Sequence, residues 1–557
     1  MPPPNEPYEP RPLWGEADER PRREMDGWRQ HPVPDPPALT PHGAQPQIPQ
    51  PQISQLQAPQ TQAPRPEAAW PELTPHPLPG SGVAPRHPVR NGVAVAAAVV
   101  GVLALAAGTV GVRALGGGGP QPESVLPADT LGFVRIDLDP SASQKVAMLR
   151  FARNLPEGTD VPDDEGDVRR SFFDGVKDLA GLGAADYAQD IEPWLGTRFA
   201  VALAPGAKGA EPVPLVVLGV TDADQAATGI ALSTSKGGGC EVGTDFAVCS
   251  SDARVARRMA TRAAQAPLAE AATYVGDLAR IGDPGVASVW LDGARINAAL
   301  AAAGPGREGA PRALESGRLV AGVRFTPDSL ELAGRFVSGA TAPANAEAGP
   351  RAGTGIDDLP ADTVAALSVN GLGPALSDWW SEFEDGIEGQ PQVANTLTRF
   401  EEEYGLDPSR DLGALLGEQT TLAYGGVPTA GATPRIALVT DGEADVARRV
   451  AAAFAGSGTT GVRVHAAGDR TVLALSQGYA RDVAAGSGLT TNPAFAEAVP
   501  GADAAQFAGF VDLQALAERS PDLDAGDRAD LEAFSALGIT GTADGADSSW
   551  QVRLTLR

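Results

Sequence analysis

The chain has 557 residues, 50 prolines, two cysteines and a formal net charge of −27. That length exceeds what one hydrophobic core organises and predicts two or more domains. The acidic surplus lies almost wholly beyond residue 113; its field repels nucleic acid and anionic headgroups, which argues against a DNA or RNA partner there, and a role in solubility is the simpler reading of it.

Residues 1–90 hold 24 of the prolines, and nine glutamines fall between Gln30 and Gln62. A segment so poor in apolar periodicity cannot offset its ordering entropy and is expected to be a disordered, Pro/Gln-rich tail that samples polyproline II. It spells LTPH twice, at Leu39–His42 and Leu73–His76, with Trp14, Trp28 and Trp70 nearby. Thr40 and Thr74 are then candidate kinase acceptors and the tryptophans candidate anchors for protein partners; low-complexity drift is the simpler reading.

Residues 91–113 follow as an expected transmembrane helix. The uncharged run from Gly92 to Val112 has 21 residues, about 31 Å as a helix, against a bilayer core of roughly 30 Å. It starts too deep in the chain for a cleaved signal peptide, so it reads as a signal anchor. Arg86, His87 and Arg90 precede it and only Arg113 follows closely, which places the N-terminus in the cytoplasm and the remainder outside, with the plasma membrane as the location. Residues 114–122 form a Gly-rich linker.

The pentapeptide Leu126-Pro127-Ala128-Asp129-Thr130 recurs as Leu359-Pro360-Ala361-Asp362-Thr363. Further pairs keep the same order: Trp194-Leu195-Gly196 with Leu415-Leu416-Gly417, Val220-Thr221-Asp222 with Val439-Thr440-Asp441, and Asp292 with Asp512. Residues 123–340 and 355–557 therefore read as two copies of one extracytoplasmic domain, joined by a linker at 341–354. In each copy LPADT precedes a strand, where Pro rigidifies the entry and Asp is expected to shape the turn through a backbone N–H two residues on. Asp139-Pro140 is expected to cap a helix carrying Met148, Phe151, Ala152 and Leu155 on one face; Leu376, Trp379, Trp380 and Phe383 repeat that spacing. The remaining pattern is strand–strand–helix–hairpin–helix–helix–strand–helix–strand–strand. It predicts an α+β fold with mainly antiparallel sheets and helices on one face. Cys240 and Cys249 bracket a short hairpin and are expected to form a structural disulfide in an oxidising exterior.

The run LPADTLGFVRIDLDPSASQK, after a Pro-rich tail, one span and a Gly linker, resembles the bacterial envelope family catalogued as domain of unknown function thirty-three fifty-two. The Ala, Gly, Arg and Pro content is similar to that of a high-GC, Streptomyces-like actinobacterial protein. The resemblance covers roughly residues 123–557 and implies location and architecture; it carries over no activity and no site residues.

Ser233-Thr234-Ser235-Lys236 matches the S-x-x-K of penicillin-recognising enzymes, but no K-T-G accompanies it. Of five histidines only His465 follows the predicted span, so no Ser-His-Asp or Cys-His set is available there. Asp160 with Asp163, Asp164, Glu165 and Asp167, and Asp522 with Asp524, Asp527 and Asp530, lack the EF-hand register and read as solvated loops and helix starts. No catalytic, metal or cofactor residues are expected. The expected function is a single-pass envelope protein with a non-catalytic binding or scaffolding role. The alternatives are a transmembrane signal transducer with a modifiable tail, a carrier of an apolar ligand held between helices and sheet, and a serine hydrolase using Ser233 and Lys236.

Overall fold

The strand segments alternate or run continuously in Val, Leu, Ile, Phe and Ala, which suits pleated, half-buried surfaces. The computed structural model describes residues 119–557 apart from 154–164, 208–209, 234–237, 305–315, 340–352, 388–390, 430, 457–460, 487, 522 and 545–546. The predicted tail and span at 1–113 lie outside the described residues. Among the described residues no helix is long and apolar enough to cross a membrane.

The first eight strands are β1 (Gly132–Asp137), β2 (Leu195–Ala204), β3 (Val213–Val220), β4 (Gly239–Val242), β5 (Phe246–Ser250), β6 (Ala287–Asp292), β7 (Arg318–Phe325) and β8 (Ser329–Val337). The next eight are β9 (Ala365–Asn370), β10 (Gln419–Tyr424), β11 (Ile436–Thr440), β12 (Arg463–Ala467), β13 (Arg470–Ala474), β14 (Phe507–Asp512), β15 (Phe534–Asp544) and β16 (Asp547–Leu556). They form one 16-stranded antiparallel sheet in the order β12-β13-β11-β10-β9-β14-β15-β16-β8-β7-β6-β1-β2-β3-β5-β4. Read from its outer edge, the first half runs β4-β5-β3-β2-β1-β6-β7-β8; adding eight to each number yields the order of the second half.

The antiparallel sheets expected of the two halves are one continuous sheet. β8 and β16 pair antiparallel from Ser329↔Thr555 to Phe336↔Ser548 and fuse the halves. Each would otherwise be a long edge with a row of unsatisfied N–H and C=O groups. At this seam Trp550 lies across Gly334, and between β14 and β15 Phe507 lies across Gly541, where a Cβ would run into the ring. Only glycine leaves room for the aromatic ring over its neighbour strand.

The expectation of helices on one face is corrected. Successive strand residues point to opposite faces. In the first half Ile136, Phe199 and Leu218 pack on the front with Phe172, Phe173 and Val176 of the helix Glu165–Ala180. Phe133, Ala200 and Val217 pack on the back with Val255 and Met259 of the helix Ala253–Gln265. The unbroken apolar run of β3, buried along its centre, is the signature of a strand covered on both sides. In the second half the back core joins Ala366, Ala423, Ala437 and Phe510 to Tyr479 and Val483 of the helix Gln477–Ala485 and to Phe495.

Both LPADT segments form the same turn. The Thr130 N–H and hydroxyl donate to Pro127 O at 2.9 and 2.7 Å, and those of Thr363 donate to Pro360 O at 3.0 and 2.7 Å. The next N–H then enters the sheet: Leu131 N to Leu203 O and Val364 N to Tyr424 O, both at 2.8 Å. Thus threonine closes the turn and the expected aspartate role is corrected. Asp129 instead pairs with Arg262, and Asp362 pairs with Arg435 at 2.9 Å. The expected Asp139-Pro140 cap moves as well. The helix runs Ala142–Arg153 with the Ser141 hydroxyl facing Gln144 N, and Asp139 pairs with Lys145 and Arg198. A carboxylate between two cations is better satisfied there than by one backbone N–H. Met148 and Phe151 are buried as expected; Leu155 lies outside the described residues.

Candidate binding face

Residues directly opposite in an antiparallel ladder share a face, so the pairings trace rows across the sheet. One front row reads Val242–Ala247–Leu218–Phe199–Ile136–Ala287–Val323–Leu332 and continues Val552–Ile539–Gly509–Leu367–Leu422–Leu438–Leu473–Val464. It crosses all sixteen strands and contains no polar side chain. In the first half the row is sealed by Glu165–Ala180 and, nearer the seam, by Met148 and Phe151 of Ala142–Arg153. At the far end of the second half, Leu415, Val446 and Ala447 cover Leu473, with Leu438 and Val464 packed beside them.

Between these covers the row is open. Leu367 is 51% exposed and its cross-strand partner Leu422 50%, with Leu537 of the neighbouring row at 39%. The front of this window also carries Ala365, Val369, Val511 and Ile539 and no charged residue. The alternation AALSVN and TTLAY puts small or hydroxylated Ala366, Ser368, Thr421 and Ala423 on the packed back and the leucines on the front. These half-exposed leucines form a contiguous apolar surface on the front of the second half.

The helices on the same side do not close it. Leu372–Ile387 packs against Pro408–Leu416, and Pro391–Tyr404 beside Ala444–Gly456. The face predicted from Leu376, Trp379, Trp380 and Phe383 does form on one helix, and its rings cluster at centroid distances of 5.4 to 5.9 Å. Yet Trp379 is 53% exposed and Phe400 of the next helix 40%. In the first half the corresponding Met148 and Phe151 are buried, as are Phe172 and Phe173 of the next helix. Residues 372–404 hold eight acidic residues against the single cation Arg399, and Asp378, Glu401, Glu402 and Glu403 are exposed.

The remaining polar clusters serve the fold. The Tyr274 hydroxyl donates to Glu123 Oε1 at 3.1 Å, and Arg135 lies 3.6 Å from the same carboxylate oxygen. Burial and then the Glu123 charge push the Tyr274 hydroxyl well above its ordinary range. An apolar-walled recess of 310 Å³ beside this pair is lined by Ala269, Val275 and Leu278. Tyr479 is pushed up to about 12 by burial, against the opposing pull of Arg435, whose guanidinium sits 4.7 Å from its ring centre. Neither phenol exchanges a proton near neutral pH.

Cys240 and Cys249 face each other across β4 and β5 at bonding distance, with Cα atoms 4.0 Å apart. Ser233 ends the helix Ala223–Ser233, is buried, and donates its hydroxyl to Gly229 O at 2.6 Å; Lys236 lies outside the described residues. His465 sits on β12 opposite Val472. Asp292 and Asp512 cap matched helices, accepting from Arg295 N at 3.0 Å and Ala515 N at 2.8 Å. Asp524 caps Ala525–Glu532 through Asp527 N, and Glu165 opens the helix Glu165–Ala180. Asp160, Asp163, Asp164, Asp522, Thr40 and Thr74 lie outside the described residues. Among the described residues no cluster of three or more His, Cys, Asp or Glu is placed to hold a metal ion. The structure thus leaves Leu367, Leu422 and Leu537 exposed on one sheet face, residues that the sequence reading did not single out as a site. The available signal was their alternation with alanine, serine and threonine. No family model, curated protein or solved structure matches the chain.

Proposed function

We propose that the chain is a single-pass, membrane-anchored envelope protein with a non-catalytic binding role, and that its extracytoplasmic part is two copies of one α+β domain. The copy reading is supported by the identical strand orders, the two threonine-closed turns and the paired helix caps Asp292 and Asp512. The uncharged run 91–112 and the basic residues before it support the anchor and its orientation.

One observation carries the binding role: a front surface that is sealed in the first half is open in the second, with Leu367 and Leu422 half exposed. An amphipathic cover worth roughly 1.5–3 kcal/mol per fully buried large side chain lies over the first half's row, and among the described residues none buries Leu367 and Leu422. Photo-crosslinkers placed at Leu422 and at exposed Leu232 test this in cells. Adducts specific to Leu422 are expected, and equal labelling at both positions sinks the reading. Alkaline phosphatase fused at the C-terminus is expected to be active; an inactive C-terminal and active N-terminal fusion reverses the topology.

A further inference from the structure

We infer that the recess beside Glu123 and Tyr274 in the first half binds a small amine carried on an apolar body, with the Glu123 carboxylate as its anchor. The site is separate from the open front of the second half, so either reading can fail alone. Glu123 and Tyr274 are the residues of the lining with polar side chains. Val275, Leu278, Ala279 and Gly282, spaced i, i+3, i+4 and i+7 along the helix Ala272–Ile281 and its cap, supply an apolar wall. The volume of 310 Å³ lies at the lower end of the range in which proteins hold small molecules. The donors within the fold converge on one oxygen of the carboxylate. The Tyr274 hydroxyl and Arg135 both address Glu123 Oε1, while Oε2 is buried with no hydrogen-bond partner among the described residues. A buried acceptor left without a donor is costly. The carboxylate offers lone pairs, so the occupant must bring the proton, and an N–H on a cation makes the stronger bond to it. An acid of the same shape would meet only lone pairs and apolar walls.

The second half is an internal control. At the places matched by the LPADT turns, strand order and ring packing it carries Ile356, Ser368 and Phe495 for Glu123, Arg135 and Tyr274, all buried. Phe495 meets Phe510 edge-on at 5.2 Å as Tyr274 meets Trp290 at 5.8 Å. The Glu123 trio serves the packing of the first half, yet the fold has an apolar solution at the glutamate and tyrosine positions. A buried carboxylate kept in one half alone, with one oxygen unsatisfied and an apolar recess beside it, suits a ligand better than packing.

The test uses the full-length chain in phosphatidylcholine nanodiscs, with empty nanodiscs as the blank. Fluorine NMR follows three probes that share one ring: a fluorinated phenethylamine, the matching alcohol and the matching carboxylate. Line broadening beyond the blank is expected for the amine, with an affinity at least about tenfold tighter than that of the carboxylate and about threefold tighter than that of the alcohol. Glu123→Gln is expected to weaken the amine by at least about tenfold. Ala279→Phe, at an exposed helix position, is expected to abolish amine binding by filling the recess. The combination Glu123→Ile, Arg135→Ser, Tyr274→Phe installs the residues of the second half; it is expected to keep the circular dichroism of the unaltered chain and to lose the amine. Unchanged amine binding to Glu123→Gln and to this combination overturns the carboxylate anchor. Equal binding of amine and alcohol overturns the amine class. Binding of no probe at up to about 1 mM overturns the recess as a ligand site. If Glu123→Gln does not fold, Ala279→Phe decides: unchanged amine binding there places the probe elsewhere and overturns the inference.

Discussion

Replacing Glu331 with alanine removes the anion at the centre of the seam. Arg324 on β7 and Arg553 on β16 stand directly opposite Glu331 on β8. The carboxylate is 2% exposed; Arg553 reaches it at 2.8 Å, and Arg324 and Gln551 also engage it. Glu331→Ala leaves two guanidinium groups flanking the gap, with Glu497 near Arg553 as the remaining carboxylate. Breaking a buried ion pair costs about 3–5 kcal/mol. Both arginines keep about a quarter of their side-chain surface in water, which solvates them partly and places the loss near the lower figure, about 3 kcal/mol. Urea unfolding followed by circular dichroism reads this directly. With a slope of about 3 kcal/mol/M, the midpoint falls by roughly 1 M. The combination Arg324→Met, Glu331→Leu, Arg553→Met is expected to recover most of the loss, because no charge is then buried without a partner. Glu241→Ala, which breaks an exposed pair with Arg257, is expected to change stability by less than about 0.5 kcal/mol. If Glu331→Ala matches Glu241→Ala, the ion triad does not hold the seam and the reasoning fails.

Thr130→Val and Thr363→Val each delete one buried hydroxyl bond to a proline carbonyl and are expected to cost about 1 kcal/mol apiece in urea titrations; a loss in one half only breaks the equivalence of the turns. Reducing Cys240–Cys249, nine residues apart in sequence, is expected to cost about 2–3 kcal/mol on the chain-entropy account, measured by unfolding with and without dithiothreitol; no change refutes a constraining role. Burial raises the Asp411 carboxyl, but hydrogen bonds from Arg410, the Asp407 backbone and Arg449 outweigh it and hold the group below its ordinary 3.8. Its contribution is therefore present above that ordinary value and lost as pH falls through the lower folded one. Asp411→Asn is expected to flatten the acid limb of the stability profile in that interval, and an unchanged limb refutes the assignment.

Much of the local structure was legible because its causes are local. Pro127 and Pro360 with threonine three residues on announced the paired turns. The residue that closes them was misread, because Asp and Thr both form such turns and only their tertiary partners separate them: Asp129 has Arg262 within reach and Asp362 has Arg435. The hairpin around Gly243 and the placement of Cys240 opposite Cys249 followed from spacing alone. The candidate face was less accessible. Leu367 and Leu422 alternate as any half-buried strand residues do, and period two states which side a residue faces, not whether that side is covered.

The sequence by itself determined the α+β element order, the matched segments of the two halves, the LPADT turns and the cysteine pair, since each depends on dihedral preference, capping chemistry or short spacing. Only the tertiary structure decided that β8 and β16 join the halves into one sheet, that helices cover both faces of the first half, and that the front of the second half stays open. Strand edges carry generic backbone donors and acceptors, so their choice of partner has no local signature. The exposure of Leu367, Leu422 and Trp379 depends on where helices remote in sequence come to rest, which is a property of packing rather than of pattern.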